Sequence, residues 1–162
     1  MRNARSRSRK PAAVRLGGTI EFMSLVWALN HALEKTSKRM EATVGITAPQ
    51  RMVLRIVGRF PGIAPARLAE ILRVHPATLS VALKRLEARG LVERQPDPDD
   101  RRSVRLSLSP AGRWYDVPSD ATVESAIERA LSRIPKTKLD ITREVIQVVI
   151  DELDRQASPA TS

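Results

Sequence analysis

The sequence has no cysteine, two histidines (His31 and His75) and 3% aromatic residues. Without cysteine there are no disulfides, no thiolate metal sites and no thiol-based redox sensing. Two histidines are too few for a typical metal-sensor cluster, so neither a metal nor a cofactor is expected. With so few aromatic rings, the core has to be built from aliphatic side chains. No apolar run approaches the roughly 20 residues of a membrane-spanning helix. The charged N-terminus is not followed by the apolar segment of a secretory signal. A cytoplasmic protein without a membrane partner is expected. Glycine-rich phosphate loops, metal-ligand clusters and nucleophile–base pairs are also missing, which argues against an enzyme. His31 and His75 have no acidic or nucleophilic companions at useful spacing.

What is abundant is positive charge. Among 162 residues, 28 are Lys or Arg and 18 are Asp or Glu, a net charge of +10. Such an excess suggests a polyanionic partner, most often nucleic acid. Its distribution is uneven. Residues 1–17 hold six basic and no acidic residues, and residues 18–49 are balanced at three of each. Residues 50–115 hold thirteen basic and six acidic residues, whereas residues 116–162 hold six and nine. A DNA-facing surface would therefore come from the middle of the chain. Residues 1–17 read as a disordered basic arm, open to two interpretations: a DNA-contacting arm or a solvated tail.

The remainder, 18–156, reads as one domain, followed by a disordered tail at 157–162. Ile20, Met23, Val26, Trp27, Asn30 and Leu33 recur at helical spacing, predicting a first amphipathic helix over about 18–42. Thr47-Ala48-Pro49-Gln50 has the spacing of a capping box, and a helix from there to Gly58 should partly bury Met52, Val53, Ile56 and Val57. Two short helices follow, about 64–72 and 76–89, separated by Arg73-Val74-His75. In the second, Leu79, Ala82, Leu83 and Leu86 form one stripe, and Gly90 stands where a C-terminal cap belongs. Leu91–Gln95 reads as a strand, Pro96–Arg102 as a polar turn, and Val104, Leu106 and Leu108 alternate with Arg105 and Ser107 in a second strand. Ser109 and Pro110 can start another helix, which Pro118 interrupts and Ser119-Asp120 can restart through about Arg133. A strongly apolar last helix is expected from about 138 to 156.

The predicted fold is mainly α with a small β-hairpin wing: a winged helix-turn-helix over about 47–113, with N- and C-terminal dimerisation helices at about 18–42 and 120–156. In that layout the first helix of the pair braces the second, whose N-terminal half enters the major groove. Pro76 pre-sets the start of this helix. Thr78, Ser80, Val81 and Lys84 lie off its apolar stripe; they form either a DNA-facing surface or an ordinary solvated helix face. Short hydroxyls there could reach base edges or phosphates, and Lys84 suits a phosphate.

The segment RLAEILRVHPATLSVALKRLEARGLVERQPDPDDRRSVRLSLSPAGR, residues 67–113, resembles the helix-turn-helix and wing of the MarR (multiple-antibiotic-resistance regulator) family. The most specific part is Asp97-Pro98-Asp99-Asp100-Arg101-Arg102, where Asp100 and Arg102 match the family's Asp-x-Arg wing element. The resemblance implies that Arg102, or its neighbour Arg101, reaches into a minor groove with Asp100 orienting it, and that Pro76, Ala77, Thr78, Ser80, Val81 and Lys84 form the DNA-facing helix surface. Three positions depart from the family pattern. His75 replaces the usual Ser or Asp cap; it could cap weakly, touch phosphate or, less simply, sense pH. Val81 replaces a residue that is basic in many relatives, which shifts base preference or leans it toward a thymine methyl. Trp114-Tyr115-Asp116-Val117-Pro118 breaks a helix that is usually continuous.

The resemblance further implies a homodimer that places two recognition helices about 34 Å apart on double-stranded DNA, at a palindromic operator. It also implies release by a small aromatic or anionic effector. Trp27, His31, Arg51, Arg55 and Trp114 are the candidate effector contacts, each equally readable as packing or surface. A ligand-responsive transcription factor, most simply a repressor, is the leading expectation. A non-specific nucleic-acid packaging module and a protein-interaction scaffold are the alternatives.

Overall fold

The computed structural model describes residues 17–98, 100 and 103–157. The expected disordered arm and tail lie outside these residues, apart from Gly17 and Ala157. Seven helices and one hairpin are described: α1 (Gly18–Val44), α2 (Ala48–Arg59), α3 (Pro65–Leu72), α4 (Pro76–Ala88), β1 (Val92–Pro96), β2 (Val104–Leu108), α5 (Pro110–Arg113), α6 (Val123–Leu131) and α7 (Lys136–Ala157). The chain divides into two units, Met1–Lys35 and Thr36–Ser162, the division falling within α1. In the first unit Ile20, Met23, Leu25, Val26, Trp27 and Leu29 are all exposed.

The second unit is organised around an aliphatic core. Met40 and Ile46 meet Val53, Leu54 and Val57 of α2, Leu68 and Ala69 of α3, and Leu79, Leu83 and Leu86 of α4. Ile63, Leu91, Val92, Leu106 and Leu108 close it from the hairpin side. Helical periodicity selects these side chains, because residues three and four apart share one face. Met52, expected to be partly buried, is 58% exposed. At about 100° per residue it falls opposite the side holding Val53, Leu54 and Val57.

Local chemistry fixes the boundaries. The capping box forms: the Gln50 N–H donates to Thr47 Oγ1 at 3.4 Å, and the Thr47 N–H donates to Gln50 Oε1 at 3.1 Å. The Ala48 N–H also donates to Ser37 Oγ at 2.9 Å, tying the end of α1 to the start of α2. Gly90 closes α4 at φ +67, a conformation that costs glycine little. In the hairpin, Val92 pairs with Leu108 and Pro96 with Val104, antiparallel. Ile63 adds a bridge to Leu106, with the Leu106 N–H donating to the Ile63 carbonyl at 3.0 Å.

After the wing the structure departs from the expected restart at Ser119-Asp120. α5 is only four residues long, and α6 begins at Val123 with Thr122 as its cap. The Ser125 N–H donates to Thr122 Oγ1 at 3.3 Å, while that buried hydroxyl donates to the Ser119 carbonyl at 2.8 Å. Thr122 rather than Ser119 therefore caps the helix, satisfying the free amide of Ser125. Gly112 allows the short α5 to form. A Cβ there would overlap the Leu91 carbonyl oxygen, so only glycine lets α5 lie against the start of β1. No helix among the described residues is long and apolar enough to cross a membrane.

Candidate nucleic-acid interface

α3 and α4 are joined by Arg73-Val74-His75. Arg73 takes a left-handed conformation at φ +53, turning the chain sharply out of α3. The Val74 N–H then donates back to the Ala69 carbonyl at 3.1 Å. Arg73 Nη1 also donates to Gln147 Oε1 on α7. His75 is extended, and its Nδ1 accepts the Ala77 N–H at 3.3 Å, so the imidazole caps α4. Pro76 occupies the first helical position, where a missing N–H costs nothing.

With Leu79, Leu83 and Leu86 in the core, the opposite face of α4 turns outward. Pro76, Ala77, Thr78, Val81 and Lys84 are exposed, and Ser80 is half-buried at its edge. From Pro76 to Leu86 there is no carboxylate. The first acid, Glu87, is occupied by the wing: Arg94 Nε on β1 donates to Glu87 Oε1 at 2.5 Å. This ion pair, which sequence reasoning missed, ties the hairpin to the helix. Its residues are seven apart and on different elements, so periodicity carries no trace of it.

Within the wing, Arg105 Nε donates to Asp97 Oδ2 at 2.8 Å. The Asp97 N–H donates to the Ser103 carbonyl at 3.0 Å, and the Ser103 N–H to the Asp100 carbonyl at 2.8 Å. Asp100 is exposed, and its Oδ2 accepts the Ser103 hydroxyl at 2.6 Å. Arg101 and Arg102 lie outside the described residues, as does Asp99.

The five candidate effector contacts separate. Trp27 and His31 are exposed on the first unit, while Trp114, directly after α5, is 80% exposed. Arg51 is 1% exposed, and its guanidinium is committed to the chain beyond α5. It donates to Glu124 Oε1 (2.8 Å), the Tyr115 carbonyl (2.5 Å) and the Val117 carbonyl (2.7 Å). Arg55, one turn later, is exposed; it contacts the Asp116 carboxylate at 2.8 Å and Glu124 at 3.6 Å. The structure thus brings Arg51, Arg55 and the segment after Trp114 together, as an anchor for the broken connection. A separate groove of about 490 Å³ lies at the α2–α3 turn, lined by Phe60, Ile63, Arg67 and Ile71 among others. None of the five candidates lines it. Among the described residues no three His, Cys, Asp or Glu side chains are grouped to hold a metal ion.

Comparison with known proteins agrees with this geometry. The MarR family model matches residues 44–103. The HTH-type transcriptional repressor Rv2887 of Mycobacterium tuberculosis is 32% identical over 91 residues, covering 56% of this chain and 66% of the repressor. The multiple antibiotic resistance protein MarR of Salmonella typhimurium is 32% identical over 88 residues, 54% of this chain and 61% of that protein. The chain thus spans somewhat under two thirds of the length of these relatives. In fold it is similar to the transcriptional regulator SlyA, with a TM-score of 0.68 at 20% identity over 84% of this chain and 96% of that one. It is also similar to a mutant MarR from E. coli solved with operator DNA, with a TM-score of 0.65 at 24% identity over 81% and 94%. The helix-turn-helix and wing are thus similar to those of the MarR family, and the helices that flank them follow the fold of these neighbours.

Proposed function

We propose that this protein is a sequence-specific DNA-binding transcriptional regulator, a homodimeric repressor that a small aromatic or anionic effector releases from a palindromic operator. The observation that carries the proposal is the outward face of α4. It is free of carboxylates from Pro76 to Leu86, braced from behind by α3, and fixed to the hairpin by Arg94–Glu87. An exposed helix of this kind beside a hairpin wing that carries four arginines fits a major groove with flanking phosphates. Ala77, Thr78, Ser80, Val81 and Lys84 face the groove, with Pro76 at the helix start. Arg101 and Arg102 serve the wing tip with Asp100. Relatives named as repressors, and similar folds solved with DNA, support the same reading.

Dimerisation is supported by the apolar side chains that α1 and α7 leave exposed, Trp27 and Val148 among them. A neighbour in fold, the PcaV regulator of Streptomyces coelicolor, was solved with its natural ligand, which supports an effector for this chain. Of the five candidate contacts, Arg55 and Trp114 present exposed side chains next to the segment that Arg51 holds, and Trp27 and His31 are exposed on the first unit. The role is non-enzymatic and belongs in the cytoplasm, where the chromosome is.

The test is fluorescence anisotropy with two labelled duplexes, the region upstream of the protein's own gene and a scrambled sequence, at two salt concentrations. A preference of about 10³-fold for the first is expected. Equal binding that collapses as salt rises would favour non-specific packaging instead.

A further inference from the structure

Val81 sits at the centre of the face that α4 turns away from the core. At about 100° per residue, Ala77 lies one turn before it and Lys84 and Arg85 one turn after, while Leu79, Leu83 and Leu86 hold the opposite side. Val81 is 52% exposed, and Ala77 and Thr78 beside it are exposed as well. The centre of the proposed reading face is therefore a patch of methyl groups.

Strong direct reading of bases needs bidentate partners: Arg or Lys for guanine, Asn or Gln for adenine. None of these residues occurs in the first two turns of α4, Pro76–Leu83. The imidazole of His75, next along the chain, is held by its cap to the Ala77 amide. Cations return only in the third turn, at Lys84 and Arg85, where they can hold the backbone. The major groove presents one apolar group, the C5 methyl of thymine. A G·C pair offers Val81 no such methyl and forgoes this apolar contact.

We propose that the protein reads its DNA site through thymine 5-methyl groups packed against Ala77, Thr78 and Val81, so that A·T pairs fill the part of each half-site that faces these residues. The inference rests on the regulator reading above and adds what that reading recognises. Specificity here arises from the apolar contact that only a thymine methyl supplies.

The experiment starts with the full chain and a random duplex library, from which bound duplexes are selected and sequenced. In the best duplex, thymines are then replaced one at a time by deoxyuridine, which removes the methyl and nothing else. At the thymines facing α4, binding is expected to weaken about fourfold for each methyl, the amount that burying one such group carries. Val81→Ala, a change at an exposed position, is expected to erase that sensitivity at the matching thymine while leaving the other positions unaltered. If duplexes are selected but deoxyuridine is tolerated throughout, or G·C pairs dominate the half-site centres, the inference falls and the regulator reading stands. If no duplex is enriched, both fall.

Discussion

The lobe running from α2 to β2 and the C-terminal helix α7 are both rich in isoleucine, leucine and valine, yet these side chains end in opposite places. In the lobe they form the core. In α7 there is no buried residue at all, and Ile141, Val145, Ile146, Val148 and Leu153 are all exposed. The difference lies in the neighbours. α2, α3 and α4 are 12, 8 and 13 residues long and are joined by tight turns, so each finds a facing helix within the same stretch of chain. α7 is 22 residues long and has no such partner nearby in the sequence. Burying each of its large aliphatic side chains would contribute about 1.5–3 kcal/mol. The lobe thus holds the core, and α7 carries the apolar face that the proposed second copy would cover.

The seam between the two regions is the place to break that comparison. Arg51 crosses from α2 to the segment leading into α6, with its guanidinium buried and shared among three acceptors. Arg51→Met keeps most of the apolar stem but leaves the carbonyls of Tyr115 and Val117 without their donors. A loss of about 3 kcal/mol is expected in urea unfolding, because removing one partner of a buried charge network leaves the others unsatisfied. A variant as stable as the parent would mean that the connection is held by other contacts.

The second prediction sharpens the difference on the α7 side. Val148 is 66% exposed and contributes nothing to the core of its own chain. Val148→Glu should therefore leave the lobe's unfolding transition where it is while weakening dimerisation about 30-fold, roughly the 2 kcal/mol of one buried aliphatic side chain. Sedimentation velocity across a concentration series reads the second effect and thermal unfolding of dilute protein the first. Unchanged self-association would remove α7 from the dimer interface.

The same contrast explains what was legible in the sequence. The lobe's elements could be read because periodicity, capping boxes and turn residues all act within a few positions: Thr47, Pro76, Gly90 and Ser109 stand where the structure uses them. The missed features depend on residues far apart in the chain. Arg51 and Glu124 are 73 positions apart, and nothing near Arg51 marks it as buried. The closure of α6 by Thr122 rather than Ser119 reflects a competition among neighbouring hydroxyls that spacing alone does not rank. In the candidate interface, the outward face of α4 followed from its apolar stripe, whereas the Arg94–Glu87 tie did not.

Arg55 provides the finest test, because it sits one turn from Arg51, touches the same connection and differs mainly in exposure. Its side chain is 42% exposed and its partner Glu124 is 41% exposed, against 2% for the Arg51 side chain. Water competes for an exposed guanidinium, salt screens it, and ordering two long side chains has an entropic cost. Arg55→Met is expected to lower stability by less than about 1 kcal/mol, and raising the salt concentration should shrink that loss further. The Arg51 variant should respond much less to salt. Equal losses for the two variants would show that burial does not set the strength of this anchor, and that Arg55, through Asp116, carries as much of the connection as Arg51.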